Sequence, residues 1–293
     1  KQIYLNIENF NKLNDIIKKE KPDIIFHLAA QSIISKSVLD PIETFNTNVM
    51  GSVNILDVYK ENNINSLVFC SSDKCYENNE WTWGYREIDS LGGKDPYSAS
   101  KSAAEIVFSS FCKTYFSNNK MNALGSVRAG NVIGGGDFKI NRIIPDIIRS
   151  ITNNKNLTLR NPKSTRPWQH VLDPLYGYLI LGEKLLNKKL KVKLPSWNFG
   201  PNIEKTYTVE FLASNLINRW GSKTKIIRSK STLAEAGFLL LNNEKAKLEL
   251  DWRPKLTLDE TIQYTYEWYY GYFKEKSNII KLTENQIDKY LSK

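Results

Sequence analysis

Residues 23–29 read DIIFHLA, residues 66–71 SLVFCS and residues 123–129 ALGSVRA. Each is an apolar run of strand length, continuous rather than alternating, as expected of a strand covered on both faces. Between the first two, Ile42, Phe45, Val49, Val53 and Leu56 recur at steps of three and four and predict one face of a long helix. Asp40-Pro41 supplies its N-cap and first position. The same dipeptide precedes Tyr97 and recurs at Asp173-Pro174, where it predicts a helix running to about Leu186. Strands alternating with helices up to residue 132 build a parallel sheet with crossover helices. The expected fold class is therefore α/β, a doubly wound parallel sheet with a smaller α/β lobe.

Beyond residue 132 the order loosens. Gly134, Gly135 and Gly136 predict a mobile loop near the ligand, followed by an Ile-rich helix near residues 142–151 and a short strand at 157–160. Two late helices carry capping boxes, Thr257 with Glu260 and Thr283 with Gln286. The aromatic run at residues 264–273, YTYEWYYGYF, falls on a helix and reads as core and interface rather than a stacking platform. Residues 1–131 and 171–200 are expected to form the nucleotide-binding sheet domain, and residues 132–170 and 201–293 the smaller lobe. Ligands of such sheets lie at the carboxyl ends of the strands. No G-x-G-x-x-G precedes the first strand and residue 1 is Lys, so roughly 60 residues of strand-helix units are expected to lie outside this sequence.

Composition narrows the class. The 293 residues are 41% hydrophobic and 25% charged, which excludes disorder, collagen-like repeats and coiled coil. No apolar stretch approaches the ~20 residues of a membrane span, and the expected protein is soluble and cytoplasmic, with no membrane partner. Lys and Arg number 41 against 31 acidic residues, a formal charge of +10 that favours anionic ligands. The basic residues are scattered without an arginine-rich arm, so no nucleic-acid partner is expected. Cys70, Cys75 and Cys112 lack Cys-x-x-Cys spacing, and His27 and His170 do not complete a zinc set with them, so reduced thiols and no metal are expected.

The chemistry concentrates at two strand ends and one helix start. Tyr97 and Lys101 stand four apart at the start of a helix, on one face and one turn apart. An ammonium there, helped by a cationic nicotinamide, lowers the phenol pKa and makes a base able to take a proton from a sugar hydroxyl. Ser72, Asp73 and Lys74 follow the SLVFCS strand and place a hydroxyl, a carboxylate and an amine at the mouth of the crevice, a set suited to eliminating water. A strand-ending Asx turn with solvated ends explains the same residues without chemistry. Asn131, after Arg128-Ala129-Gly130, offers an amide for a diphosphate, and Arg166 a planar fork for phosphate oxygens. His27 reads as a packed or backbone-bonded imidazole.

The string Ser71-Ser72-Asp73-Lys74-Cys75-Tyr76-Glu77-Asn78, with Glu80-Trp81, Trp83-Gly84-Tyr85-Arg86-Glu87, Gly92-Gly93 and Asp95-Pro96-Tyr97-Ser98-Ala99-Ser100-Lys101, resembles the CDP-glucose 4,6-dehydratases of the extended short-chain dehydrogenase/reductase superfamily. SVRAGNVIGGGD at 126–137, RPWQHV at 166–171 and the segment Leu248 to Pro254 extend the likeness over essentially the whole chain. The resemblance implies a Rossmann-like fold and an NAD-dependent conversion of CDP-glucose to CDP-4-keto-6-deoxyglucose, in deoxysugar biosynthesis, with hydride passing from C4 to C6. It implies Tyr97 as the C4 base, Lys101 on the nicotinamide ribose, Ser72 bonded to the same hydroxyl and Asp73 as the acid at C6. Lys74 stands where related dTDP-glucose dehydratases carry Glu as the C5 base, a role a lysine fills only with a depressed pKa. Leu28, Ala29, Ala30 and Asn48 are implied to line the NAD site, and Asn131 and Arg166 to meet the diphosphate. A homodimer or higher homo-oligomer is implied, through the helices beginning at Asp40-Pro41 and at Tyr97.

Two other readings stay open on sequence alone. A nucleotide-sugar epimerase or decarboxylase of the same superfamily shares Tyr97 and Lys101, and a non-catalytic nucleotide-sugar-binding protein needs neither.

Overall fold

The structure, a computed structural model, describes residues 1–116, 123–190, 194–202, 206–229 and 238–293. In chain order the strands are β1 (Ile24–His27), β2 (Ser66–Cys70), β3 (Leu124–Ala129), β4 (Val132–Ile133), β5 (Leu157–Leu159), β6 (Thr165–Arg166), β7 (Gln169–His170), β8 (Ser196–Phe199), β9 (Tyr207–Thr208) and β10 (Ile226–Arg228). The helices are α1 (Phe10–Glu20), α2 (Ile34–Leu39), α3 (Pro41–Phe45), α4 (Gly51–Glu61), α5 (Pro96–Tyr115), α6 (Ile143–Thr152), α7 (Leu172–Leu186), α8 (Val209–Trp220), α9 (Glu244–Leu250), α10 (Leu258–Tyr270) and α11 (Ile279–Leu291).

The main sheet has the order β1-β2-β3-β8 and every pair in it is parallel, with Ile24 opposite Ser66, Leu67 opposite Leu124 and Ser126 opposite Ser196. The three apolar runs of the sequence are its first three strands. Alternation sends Leu67 and Phe69 to one face and Val68 to the other, and all three are buried. The first face meets Leu13 of α1, Leu56 of α4 and Phe108 of α5. The second meets Leu181 of α7 and Ala246 of α9, with Trp252 just beyond. A separate core gathers α6, α8 and α10 around β5 through Ile147, Leu216 and Ile262. Residues 246–252, assigned from sequence to the smaller lobe, thus pack under the main sheet. Their aliphatic and indole surface is complementary to Phe199 and Tyr178.

The helix expected from Asp40 is interrupted. Asp40 caps α3 through Glu43 N, but a five-residue π-helical turn spans Asn46–Met50 before α4 begins. The wider turn rotates the stripe, so Thr44, Asn48 and Ser52 face inward while Ile42 is 74% exposed. The helix at Asp173 begins at Leu172, and Asp173 is not its cap. Its carboxylate is spent on tertiary contacts, accepting from Lys255 N at 2.8 Å and Tyr290 Oη at 2.9 Å, while its carbonyl accepts from Trp252 Nε1 at 2.9 Å. The Thr257–Glu260 capping box forms. The Thr283–Gln286 box does not, because α11 starts earlier under Asn278; Thr283 accepts from Trp268 Nε1 and Gln286 donates to the Tyr264 carbonyl. The triple glycine is packed rather than loose: a Cβ on Gly135 would fall 2.0 Å from Trp268 Cγ. No described helix is long and apolar enough to cross a membrane.

Candidate active site

The site forms where β2 and β3 end and α5 begins. After β2, Ser72 caps a single 3₁₀ turn over Asp73–Cys75; its Oγ accepts from Lys74 N at 3.3 Å and donates to Asp73 Oδ1 at 2.9 Å. Asp95 caps α5, accepting from Ser98 N at 3.0 Å, with Pro96 at the first helical position. The Tyr97 amide donates to Ser37 Oγ at 3.1 Å, which locks the start of α5 onto α2. Tyr97 and Lys101 are both buried, and the Ser72 hydroxyl is close enough to the Tyr97 phenol to lower its pKa. The Ser72 hydroxyl thus stands between Tyr97 and Asp73.

The electrostatics differ from the sequence expectation at Tyr97. Burial pushes the phenol well above its ordinary value and the Asp73 charge adds to this, against the Ser72 hydroxyl; Lys101 is not among the groups that shift it most. Burial lowers the Lys101 ammonium, opposed by Cys70, Glu105 and Cys75. Burial, and then the charge of Lys101, lowers His27 to about 4. His27 is a packed imidazole as expected, though its Nε2 lies 3.5 Å from the Ser52 hydroxyl rather than on backbone.

Asp73 is 3% exposed and its Oδ2 has no hydrogen bond. Lys74 Nζ lies 3.7 Å from that oxygen and its side chain is partly exposed. Gly130 presses on the same carboxylate: a Cβ there would be 2.1 Å from Asp73 Oδ2. Beside it lies a narrow cavity of about 10 Å³ lined by Asp73, Gly130, Asn131, Pro167, Leu239 and Leu241, among others. Asn131 holds a left-handed backbone at φ 54° and its Nδ2 is buried without a partner, so its amide can take a ligand. Arg166 lies in β6, adjacent to Pro167 of the cavity wall, and its Nη1 donates to the Thr165 carbonyl at 2.9 Å.

The residues past β1 divide. Leu28 and Ala29 are exposed and Ala30 is partly so, forming an open shelf at the sheet's carboxyl edge. Asn48 is turned inward: its Oδ1 accepts from Gln31 N at 2.8 Å, and its Nδ2 donates to the Gln31 carbonyl and to Ser100 Oγ, each at 2.9 Å. Both amide protons are thus used, and Asn48 braces the loop and α5 from within. Two residues that sequence reasoning missed sit below the cluster, Glu105 and Arg128, ion-paired at 2.7 Å. The signal was present: Glu105 continues the four-residue series Tyr97–Lys101, and Arg128 is a charge in an otherwise apolar strand. Among the described residues no group of three or more His, Cys, Asp or Glu side chains is placed to hold a metal ion.

The family model described as GDP-mannose 4,6 dehydratase matches residues 1–265. A CDP-glucose 4,6-dehydratase of Salmonella typhimurium is 43% identical over 98% of the chain and 81% of its own length. The crystal structure of dTDP-glucose 4,6-dehydratase from Bacillus anthracis in complex with NAD superposes with TM-score 0.77 at 26% identity, covering 94% of this chain and 81% of that one. A UDP-glucose 4-epimerase of Thermotoga maritima shares the fold, with TM-score 0.81 at 20% identity over 92% of this chain and 84% of that one. With a parallel sheet whose carboxyl ends bring Ser72, Asp73 and Tyr97 together, and with likeness along nearly its whole length, the chain belongs to the nucleotide-sugar 4,6-dehydratase family that this model describes.

Proposed function

We propose that the chain is an NAD-dependent dehydratase converting CDP-glucose to CDP-4-keto-6-deoxyglucose. The observation that carries the chemistry is the buried cluster of Tyr97, Ser72 and Asp73, which sets a proton acceptor and a proton donor on either side of one hydroxyl. The near-full-length likeness to the Salmonella enzyme supports the CDP-sugar.

The residues present fit a dinucleotide. Lys101 Nζ is a desolvated cation with no hydrogen bond to another described residue, and the Leu28–Ala30 shelf lies at the carboxyl edge where such sheets take their ligand. Leu28, Ala29, Ala30, Tyr97 and Lys101 would hold it, with Asn48 bracing from behind. Bound there, NAD would supply a reversible hydride acceptor for C4 and then C6, and so would be regenerated in each turnover. Tyr97 Oη takes the proton of the C4 hydroxyl, which Ser72 helps to orient. Burial keeps that phenol neutral in the chain by itself, so Tyr97 becomes a base only with positive charge brought against it. Asp73, beside the cavity, gives its proton to the departing C6 hydroxyl as the C5 proton, acidified by the 4-ketone, is lost. Lys74 is the base for that C5 proton, and binding must then part it from Asp73. Asn131 and Arg166 take the diphosphate.

The two parts of the chain divide the labour. Residues 1–131 and 171–200 carry the dinucleotide, while residues 132–170 and 201–293, less the 246–252 segment, carry the sugar nucleotide. The working enzyme is a cytoplasmic homodimer or higher homo-oligomer. Exposed Val38, Leu39, Ile42, Phe45 and Ile106 supply the apolar surface for a second copy.

Incubation with CDP-glucose and NAD tests this reading. A 4-keto-6-deoxy product supports it, whereas inversion at C4 alone makes the chain an epimerase and overturns it.

A further inference from the structure

Beneath the acid–base residues lies a polar cluster sealed from water. Glu105 stands one helical turn beyond Lys101, as Lys101 stands one turn beyond Tyr97, and its carboxylate is buried. Arg128 Nη2 donates to its Oε2 at 2.7 Å, and the Ser126 hydroxyl donates to its Oε1. Arg128, on β3, sends Nη1 to Tyr76 Oη at 2.8 Å and to the Glu87 carbonyl at 3.2 Å. Tyr76 Oη donates onward to Asn198 Oδ1 at 2.7 Å, whose own amides hold the Glu87 carboxylate and the Tyr85 carbonyl, each at 2.8 Å. Tyr76 immediately follows the Asp73–Cys75 turn.

A buried ion pair is a weak source of stability, because desolvating both charges offsets most of their attraction. What this one does is geometric. A single guanidinium ties the helix bearing Tyr97 and Lys101 to the turn bearing Ser72 and Asp73. We propose that the Glu105–Arg128 pair is the positioning element of the active site: Glu105 supports the charge of Lys101, and Arg128, through Tyr76, fixes the acid-bearing turn against Tyr97. The proposal rests on the roles given above to Tyr97 and Lys101.

The surroundings of Lys101 agree with it. Burial works to discharge the ammonium, and Glu105 is the carboxylate that opposes this, with the Cys70 and Cys75 thiols on its own side and the His27 imidazole facing it from β1. Burial also works against the Glu105 carboxylate, and Arg128, with Ser126, outweighs it and holds that carboxyl below its ordinary value. Removing the Glu105 charge therefore leaves Lys101 easier to deprotonate.

The test is the titration of the Lys101 side chain, followed by ¹⁵N-lysine NMR in the full chain and assigned by its loss in Lys101→Arg. In Glu105→Gln the titration is expected to fall by about one pH unit, a tenfold change in the protonation equilibrium. The alkaline limb of the kcat profile should fall with it, and Glu105→Asp, which keeps the charge, should restore both. Tyr76→Phe cuts only the arm to the turn: kcat should drop about tenfold with KM within about twofold, and Lys101 should titrate as in the wild type. An unmoved Lys101 titration in Glu105→Gln overturns the proposal, as does a wild-type kcat in Tyr76→Phe. Should Glu105→Gln not fold, Tyr76→Phe alone decides. Full activity in Tyr97→Phe is a separate outcome that removes the underlying reading of the site, whatever Lys101 does.

Discussion

Gly130 leaves no room beside Asp73: a methyl group on its Cα would stand 2.1 Å from the Asp73 carboxylate oxygen that has no hydrogen bond. The acid is thus held in place partly by a missing side chain. Gly130→Ala should displace the carboxylate from the cavity and lower kcat about tenfold or more, equivalent to about 1.4 kcal/mol in the barrier. Steady-state rates of 4-keto sugar formation read this directly, and an unchanged kcat would place the reactive acid elsewhere.

Tyr97→Phe removes one oxygen from a buried ring and leaves the packing of α5 intact. Turnover should fall about 10²–10⁴-fold, the usual contribution of a general base, while the thermal midpoint stays close to that of the wild type. Lys74→Ala separates the steps differently. Absorbance of reduced cofactor should still develop with substrate, but the 4-keto-6-deoxy product should not; equal loss of both would release Lys74 from the role of C5 base.

Stability should fall as the solution is acidified, because both histidines are buried as neutral rings. His27 and His170 are each lowered to about 4, below the ordinary 6.5. A depressed folded-state value means that the unfolded chain binds the proton first, so the stabilisation is complete above pH 6.5 and is lost between there and about pH 4. At pH 5 the loss should be about 2 kcal/mol per histidine. Asp173 and Glu87, both raised by burial, contribute with the opposite sign. Urea midpoints at pH 7 and 5 measure the net effect, and His170→Gln should flatten it.

Exposed apolar side chains on neighbouring helices predict self-association. Ile42 of α3 and Ile106 of α5 are 74% and 57% exposed, and a pair of carboxylates there would have to be desolvated in any dimer. Ile42→Asp with Ile106→Asp should shift the sedimentation coefficient to that of a monomer without unfolding the chain; an unchanged oligomer would place the contact on another face.

The strands were legible because continuous apolar runs bounded by polar residues have few other solutions, and α5 was legible because Asp95 and Pro96 act locally, within one turn. The failures share a cause at longer range. Asp173 looks like a cap to any reader of its neighbours, yet its carboxylate answers to Tyr290, 117 residues away. Ile42 and Phe45 fit a helical stripe, but the π turn at Asn46–Met50 rotates the stripe, and Asn48 finds its partners in Gln31 and Ser100. At the site, the spacing of Tyr97 and Lys101 was readable; that burial would raise the phenol and that Lys74 would lean on Asp73 depends on packing that no spacing encodes.

Asp173 has one more consequence. It gathers Trp252, Lys255 and Tyr290, and the Lys255 ammonium reaches back to the Tyr290 carbonyl at 3.4 Å. The final helix is therefore a clasp, hooked by one phenol onto the helix that backs the sheet. Proteolysis on the N-terminal side of Tyr290 would release that hook and leave the buried Asp173 carboxylate with one donor fewer. The packing behind the sheet is thus held shut by α11.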